Sequence, residues 1–246
     1  DSLDKSLIKL LNSRSYVINE AKQLKENVHP KIRFARETLM AYSLQKKNFG
    51  LYNKNVMQQI WREIISASLL IEGDLNIEVL NHSNTISPLW VLTRDHFGTY
   101  SNITVNNSLE SIINNIHNNT TTIGVIPFPK AEINWWDYLI NYPDIKVNLT
   151  LPFLPLPSNT KNETGVVISK AMLEESVEDS SLFLIKTKEL KPLSNIKIIF
   201  SNNDNFLVIL NGFSKNKELV SKFTNVPINQ IFYLGSYPKP MFEEVN

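Results

Sequence analysis

The chain contains no cysteine, which excludes disulfides, thiolate metal sites and a cysteine nucleophile together. It lacks any run approaching the ~18 consecutive apolar residues that a membrane span needs. It also lacks an excess of either charge: 25 Lys and Arg against 24 Asp and Glu leave a net +1. Such a balance supplies no field for nucleic acid or an anionic membrane, so neither is expected as a partner. An anionic small molecule must then be held by local cations. His29, His82, His96 and His117 show no metal-ligand spacing. Neither a G-x-S-x-G motif nor a phosphate-binding loop occurs. The opening stretch DSLDKSLIKLL has no basic n-region and no long apolar h-region, so it is not a signal peptide and a cytoplasmic location is expected. It starts at Asp1, without a methionine and already within a helical pattern, and further residues are expected upstream.

What is present is ordinary for a globular protein: 246 residues, 42% hydrophobic and 20% charged. That length suits one to three small domains, each able to bury a core. Leu3, Leu7, Leu10, Val17, Ala21 and Leu24 recur at helical spacing with no Gly or Pro between them, which predicts an amphipathic helix over about 3–25. His29-Pro30 breaks it. A second helix is predicted over about 31–47, with Gly50 as a left-handed terminator. A third is predicted over about 55–72, with Val56, Ile60, Ile64, Ala67 and Ile71 on one stripe and Gly73 at its end. Beyond residue 75 short β-rich runs appear at 90–92, 122–126, 166–168, 182–185, 196–200, 206–210 and 231–234. Helical patterns at 108–117 and 215–224 lie among them. This is an α/β or α+β texture after an all-helical segment. The stretch 152–164, rich in Pro and Asn, reads as a loop or linker.

Charge falls in unexpected places along the three helices. Arg14 interrupts the apolar stripe of the first, and Lys25 follows eleven residues later, three turns on and facing the same way. Arg33, Arg36 and Glu37 crowd the start of the second. Ser68 and Glu72 are i and i+4 neighbours in the apolar end of the third. Each has a simpler explanation as a snorkelling side chain, a solvated helix end or a satisfied hydrogen bond. Together they place cations, a hydroxyl and a carboxyl group inside a helical bundle, where buried cations are costly unless an anion pairs them. A dianionic ligand supplies that pairing.

The run Arg36-Glu37, Asn48-x-Gly50, then Trp61-Arg62-Glu63-Ile64-Ile65-Ser66-Ala67-Ser68 and Glu72, preceded by Leu3-Asp4, Leu10-Leu11, Arg14 and Lys25, resembles the all-helical chorismate mutase family, in the version fused to prephenate dehydratase. The resemblance covers nearly all of residues 2–80. It implies a three-helix domain forming an intertwined homodimer, and an isomerase that converts chorismate to prephenate without a cofactor. Arg14 and Arg36 are then the carboxylate-binding forks. Lys25 donates to the ether oxygen, and Glu72 is its second partner, which requires a protonated carboxyl group. Glu37 holds the ring hydroxyl and Ser68 sits against a carboxylate. The family also takes an arginine from the partner subunit, about three residues before Asp1 in this numbering. No arginine precedes Arg14 here, and Arg33 stands where the pattern varies and receives no role.

Residues beyond 80 resemble, more faintly, the dehydratase part of such fusions. Phe97-Gly98, the helix at 108–117 and Ile123-Gly124-Val125-Ile126-Pro127 carry that likeness. Phe206 to Phe213 and Leu234-Gly235-Ser236-Tyr237-Pro238 resemble the closing half of an ACT regulatory domain, a ferredoxin-like element. The expected dehydratase signatures are replaced by Phe128-Pro129-Lys130 and Ser181-Leu182-Phe183, so no dehydratase activity is expected. The phenylalanine-binding signatures of the ACT domain are missing too. Trp135-Trp136 could line a groove but fits a core better. The expected organisation is a chorismate mutase domain over 1–78, a degenerate dehydratase-like α/β region over 79–178 and an ACT-like domain over 179–246. A bifunctional mutase-dehydratase and a non-catalytic chorismate- or prephenate-binding regulator are the alternatives, and an isochorismate lyase ranks below them.

Overall fold

A computed structural model describes residues 1–23, 32–81, 87–129, 133–155, 164–190 and 196–241. Three helices open the chain: α1 (Ser2–Gln23), α2 (Phe34–Gln45) and α3 (Lys54–Glu72). The predicted break at His29-Pro30 lies outside the described residues. Asn53 caps α3 by accepting from the Asn55 amide at 2.8 Å. Gly73, at φ +150°, ends it. Gly50 does take a left-handed φ of +64°, but in the turn after α2, whose own last residue is Gln45.

The faces of α3 differ from the sequence reading. Its buried residues are Gln58, Arg62, Ser66 and Ser68, whereas Val56 and Ile60 from the predicted apolar stripe are exposed. Helix α1 buries no residue at all. Leu3, Leu7, Leu10 and Val17 are each more than half exposed, although α1 packs along α3.

The remainder is one mixed sheet covered by helices. The elements are β1 (Asn76–Leu80), α4 (Pro88–Phe97), β2 (Asn102–Asn106), α5 (Leu109–Asn118), β3 (Thr122–Pro127), α6 (Trp135–Asn141), β4 (Lys146–Leu151), β5 (Gly165–Ser169), β6 (Asp179–Lys186), β7 (Ile196–Asn202), β8 (Asn205–Asn211), α7 (Lys217–Thr224) and β9 (Ile231–Pro238). The strand order is β2-β1-β3-β5-β4-β9-β6-β8-β7. Strands β1, β2 and β3 are parallel and joined through α4 and α5. Strands β6 to β9 pair antiparallel in the order β9-β6-β8-β7, the arrangement of a ferredoxin-like sheet. The two halves meet at a single parallel pair, Val147 with Gly235. A Cβ at Gly235 would run into the Val147 backbone, so only glycine allows that approach.

Alternation along the strands feeds both faces of the sheet. Leu80, Ile126, Val166, Ile168, Leu182, Leu184 and Leu207 pack with α5, α6 and the fully buried Trp135 and Trp136, so the tryptophan pair belongs to the core. Ile77, Val79, Ile123, Val125 and Val167 face the other way and pack with α4. Ile32, Phe34 and Ala41 join that second core, beside Phe153 and Met241. The α2 end of the helical segment is thus part of the sheet's own core. Phe183, Ile185, Val208 and Leu210 form a third core with Val220 of α7.

Residues 90–92, read as a β-rich run, lie in α4. Ser87 caps that helix by accepting from the Trp90 amide and Pro88 occupies its first turn, both helix-start signals that outweigh three apolar residues in a row. Strands β1, β2 and β4 and helix α6 are elements that the sequence pattern does not announce. Asn148, in the sequon 148–150, is buried and its amide is bonded to Ser169 and Ala171.

Candidate active site

A cavity opens between the three N-terminal helices. Helix α1 contributes Arg14, Val17, Ile18 and Ala21. Arg33 and α2 contribute Arg36, Glu37 and Met40, and α3 contributes Ile65, Ser68, Leu69 and Glu72. The spacing of α3 explains its share: 65, 68, 69 and 72 fall on one face of a helix. Five of the six residues singled out in the sequence, Arg14, Arg36, Glu37, Ser68 and Glu72, line this one cavity. The sixth, Lys25, lies outside the described residues.

Arg14 Nη1 donates to Ser68 Oγ, and Ser68 Oγ donates to the Ile64 carbonyl at 2.6 Å. Burial, and then the Arg36 guanidinium, hold the Arg14 pKa below the usual arginine value, while Glu72 acts in the opposite sense. A cation pushed down by a second cation marks a place that favours an incoming anion. At the far end of the α1–α3 contact, Lys22 Nζ donates to the Ile71 carbonyl at 3.0 Å.

Two ion pairs border the cavity. Glu37 Oε2 accepts from Arg62 Nη2 at 2.7 Å, with side chains 11% and 4% exposed. The other oxygen, Glu37 Oε1, is buried and has no hydrogen-bond partner among the described residues. Arg33 makes a two-pronged pair with Glu174, at 3.1 Å from Nε and 2.6 Å from Nη2. It thereby ties the cavity rim to the segment between β5 and β6. Sequence reasoning assigned no role to Arg62 and did not find Glu174. A signal for Arg62, beyond its place in the motif run 61–68, was its i, i+4 relation to Gln58 and Ser66, a polar stripe opposite the apolar one.

Of the two stretches that stand in place of dehydratase signatures, Lys130 of the first lies outside the described residues. Ser181 lies within β6, and its hydroxyl donates to the Gly212 carbonyl at 2.7 Å, accepts from the Ser214 amide and meets Ser236 Oγ. Among the described residues no group of three or more His, Asp or Glu side chains is placed to hold a metal.

Helices, cations and cavity together define an α-helical domain with a cavity flanked by arginines from different helices. Residues 1–73 match the sequence model of chorismate mutase type II, and this segment is a chorismate mutase domain, the isomerase that turns chorismate into prephenate. The mixed α/β region that follows it is similar to solved prephenate dehydratases. With the enzyme from Staphylococcus aureus the TM-score is 0.44 at 12% identity, over 66% of this chain and 100% of that one. With the one from Streptococcus mutans it is 0.40 at 13% identity, over 68% and 100%. A protein described as a novel type of quorum-quenching acylase overlaps with a TM-score of 0.47 at 10% identity, over 69% and 98%. A search of curated proteins finds no significant match.

Proposed function

We propose that the interhelical cavity is the site at which the mutase domain rearranges chorismate, with Arg14 and Arg36 as carboxylate ligands, Ser68 beside one carboxylate, Glu37 on the ring hydroxyl, and Lys25 and Glu72 at the ether oxygen. The observation that carries this is the convergence of Arg14 and Arg36, from two different helices, on one cavity with Ser68 and Glu72. Two adjacent guanidiniums are a cost to the empty fold and an asset once a dianion arrives. The reaction breaks an ether C–O bond and forms a C–C bond in one rearrangement, with no nucleophile and no proton transfer. Catalysis then consists of holding the folded conformer of the substrate and placing donors where the ether oxygen gains charge.

The same reading divides the chain into a mutase domain at 1–78, a dehydratase-like region at 79–178 and an ACT-like domain at 179–246. It makes the protein a homodimer: the uncovered apolar residues of α1, with Val56 and Ile60 of α3, form surfaces that a second copy covers. A cytoplasmic location belongs to the same reading; no helix among the described residues is long and apolar enough to cross a membrane.

The test is loss of chorismate absorbance from pH 5 to 8. Turnover is expected, and a Glu72→Gln variant, whose amide can donate to the ether oxygen, should retain it. Absence of turnover at every pH, with chorismate still bound, would instead make the domain a sensor.

A further inference from the structure

Glu37 can serve a ligand hydroxyl only if its carboxylate stands still and offers one oxygen. On helix α2 alone it would have three side-chain torsions to settle. The structure supplies what settles them. Arg62, from α3, holds Oε2 at 2.7 Å, while Glu37 is one of the residues lining the cavity and its other oxygen, Oε1, is buried without a partner among the described residues. A buried acceptor left open is a place for a donor that arrives later. We propose that Arg62 is the positioning residue of this site: it fixes the Glu37 carboxylate so that one oxygen is committed to the protein and the other is presented to the substrate's ring hydroxyl. This rests on reading the cavity as the mutase site.

Arg62 sits on a stretch of α3 that is tied to the α/β region. It is 3% exposed, so its guanidinium has no solvent-directed alternative. The residues around it on α3 are fastened to α4 and the loop after it. Gln59 Nε2 donates to the Asp95 carbonyl at 3.1 Å. Glu63 Oε1 accepts from the Thr99 hydroxyl at 2.9 Å. Ser66 lies so close to Gly98 that a Cβ there would come within 2.5 Å of the serine Cβ. These contacts fix the rotation of α3 about its own axis, and with it the direction in which Arg62 points. Orientation therefore passes from α4 through Arg62 to Glu37 and on to the substrate, which gives the second half of the chain a part in the chemistry of the first.

The experiment is a double-mutant cycle on the full chain, read by steady-state chorismate turnover, with Arg62→Met, Arg62→Lys, Glu37→Gln and the double variant Arg62→Met/Glu37→Gln. Arg62→Met keeps the apolar stem and loses the fork, and should lower kcat/KM about 100-fold, the scale of a roughly 1 Å misplacement. Arg62→Lys should recover part of that by restoring the charge. In the Glu37→Gln background the same Arg62→Met change should cost less than about threefold, because the group it positions is already altered. The double variant also leaves no lone buried charge, so a melting curve on it guards against loss of fold. An Arg62→Met variant within threefold of wild type overturns the proposal, as does a loss that persists undiminished beside Glu37→Gln. If the wild-type chain binds chorismate without converting it, the mutase reading falls. The same cycle read by chorismate affinity then decides the role of Arg62. If it neither binds nor converts chorismate, both readings fall.

Discussion

Lys25 and His96 show how differently single residues enter this protein. Lys25 is assigned to the ether oxygen, where negative charge appears only as the bond breaks. Removing such a donor typically costs about 3 kcal/mol of barrier, so Lys25→Ala should lower kcat about 100-fold or more with a smaller change in KM. Near-normal turnover would remove it from the site. His96 is not among the residues that line the interhelical cavity. It is buried on α4 between Phe97 and Phe153, and burial first, then the Arg62 charge, holds its pKa well below the ordinary 6.5. The unfolded chain takes up that proton near the ordinary value and the folded chain does not. Its contribution to stability is therefore complete above about pH 6.5 and is lost as pH falls below it. The melting temperature should drop between pH 6.5 and 5, and His96→Phe should flatten that slope; an unchanged slope would refute the assignment. Helical spacing put Ser68 and Glu72 on one face and marked Arg14 as a break in an apolar stripe, whereas grouping them with Arg36 in one site came from the resemblance to chorismate mutases. The role of Arg33 was not legible, since its partner Glu174 is 141 residues away and nothing local signals it.

At the level of elements, the helices were easier to read than the strands. Apolar periodicity and caps mark α3, α5 and α7 directly. Strands β1, β2 and β4 carry Asn, Glu and Lys between their β-branched residues, and these depleted residue types dilute the signal. The α3 stripe is the instructive error. The sequence places Val56 and Ile60 on one apolar stripe, yet the buried positions are Gln58, Arg62 and two serines. A hydrophobic stripe reports that something covers it, not which chain does. If a second copy covers α1 and the start of α3, sedimentation should give a dimer. Leu10→Asp on the exposed face of α1 should then shift it towards monomer with helical content retained. A monomeric wild type at micromolar concentration would refute the homodimer.

For the whole molecule, a single sheet order runs through everything that follows the helical segment. Strands β1 to β5 and β6 to β9 are fused edge to edge through Val147 and Gly235. The residues found where a catalytic Thr-Arg-Phe was expected are built into β6, with the Ser181 hydroxyl already bonded within the fold. The protein should release prephenate unchanged. Phenylpyruvate accumulating beside active mutase would revive the bifunctional reading.

Phe34 and Ala41, from the first fifth of the chain, share a core with Phe153 and with Met241, close to its last residue. That shared core means the isomerase segment is not a detachable module. A chain severed after residue 78 would present to water the apolar side of α2 that the sheet now covers, and the remaining sheet would lose one of its roofing helices. Any natural shortening or fusion of this protein has to keep both partners of that seam or replace one of them.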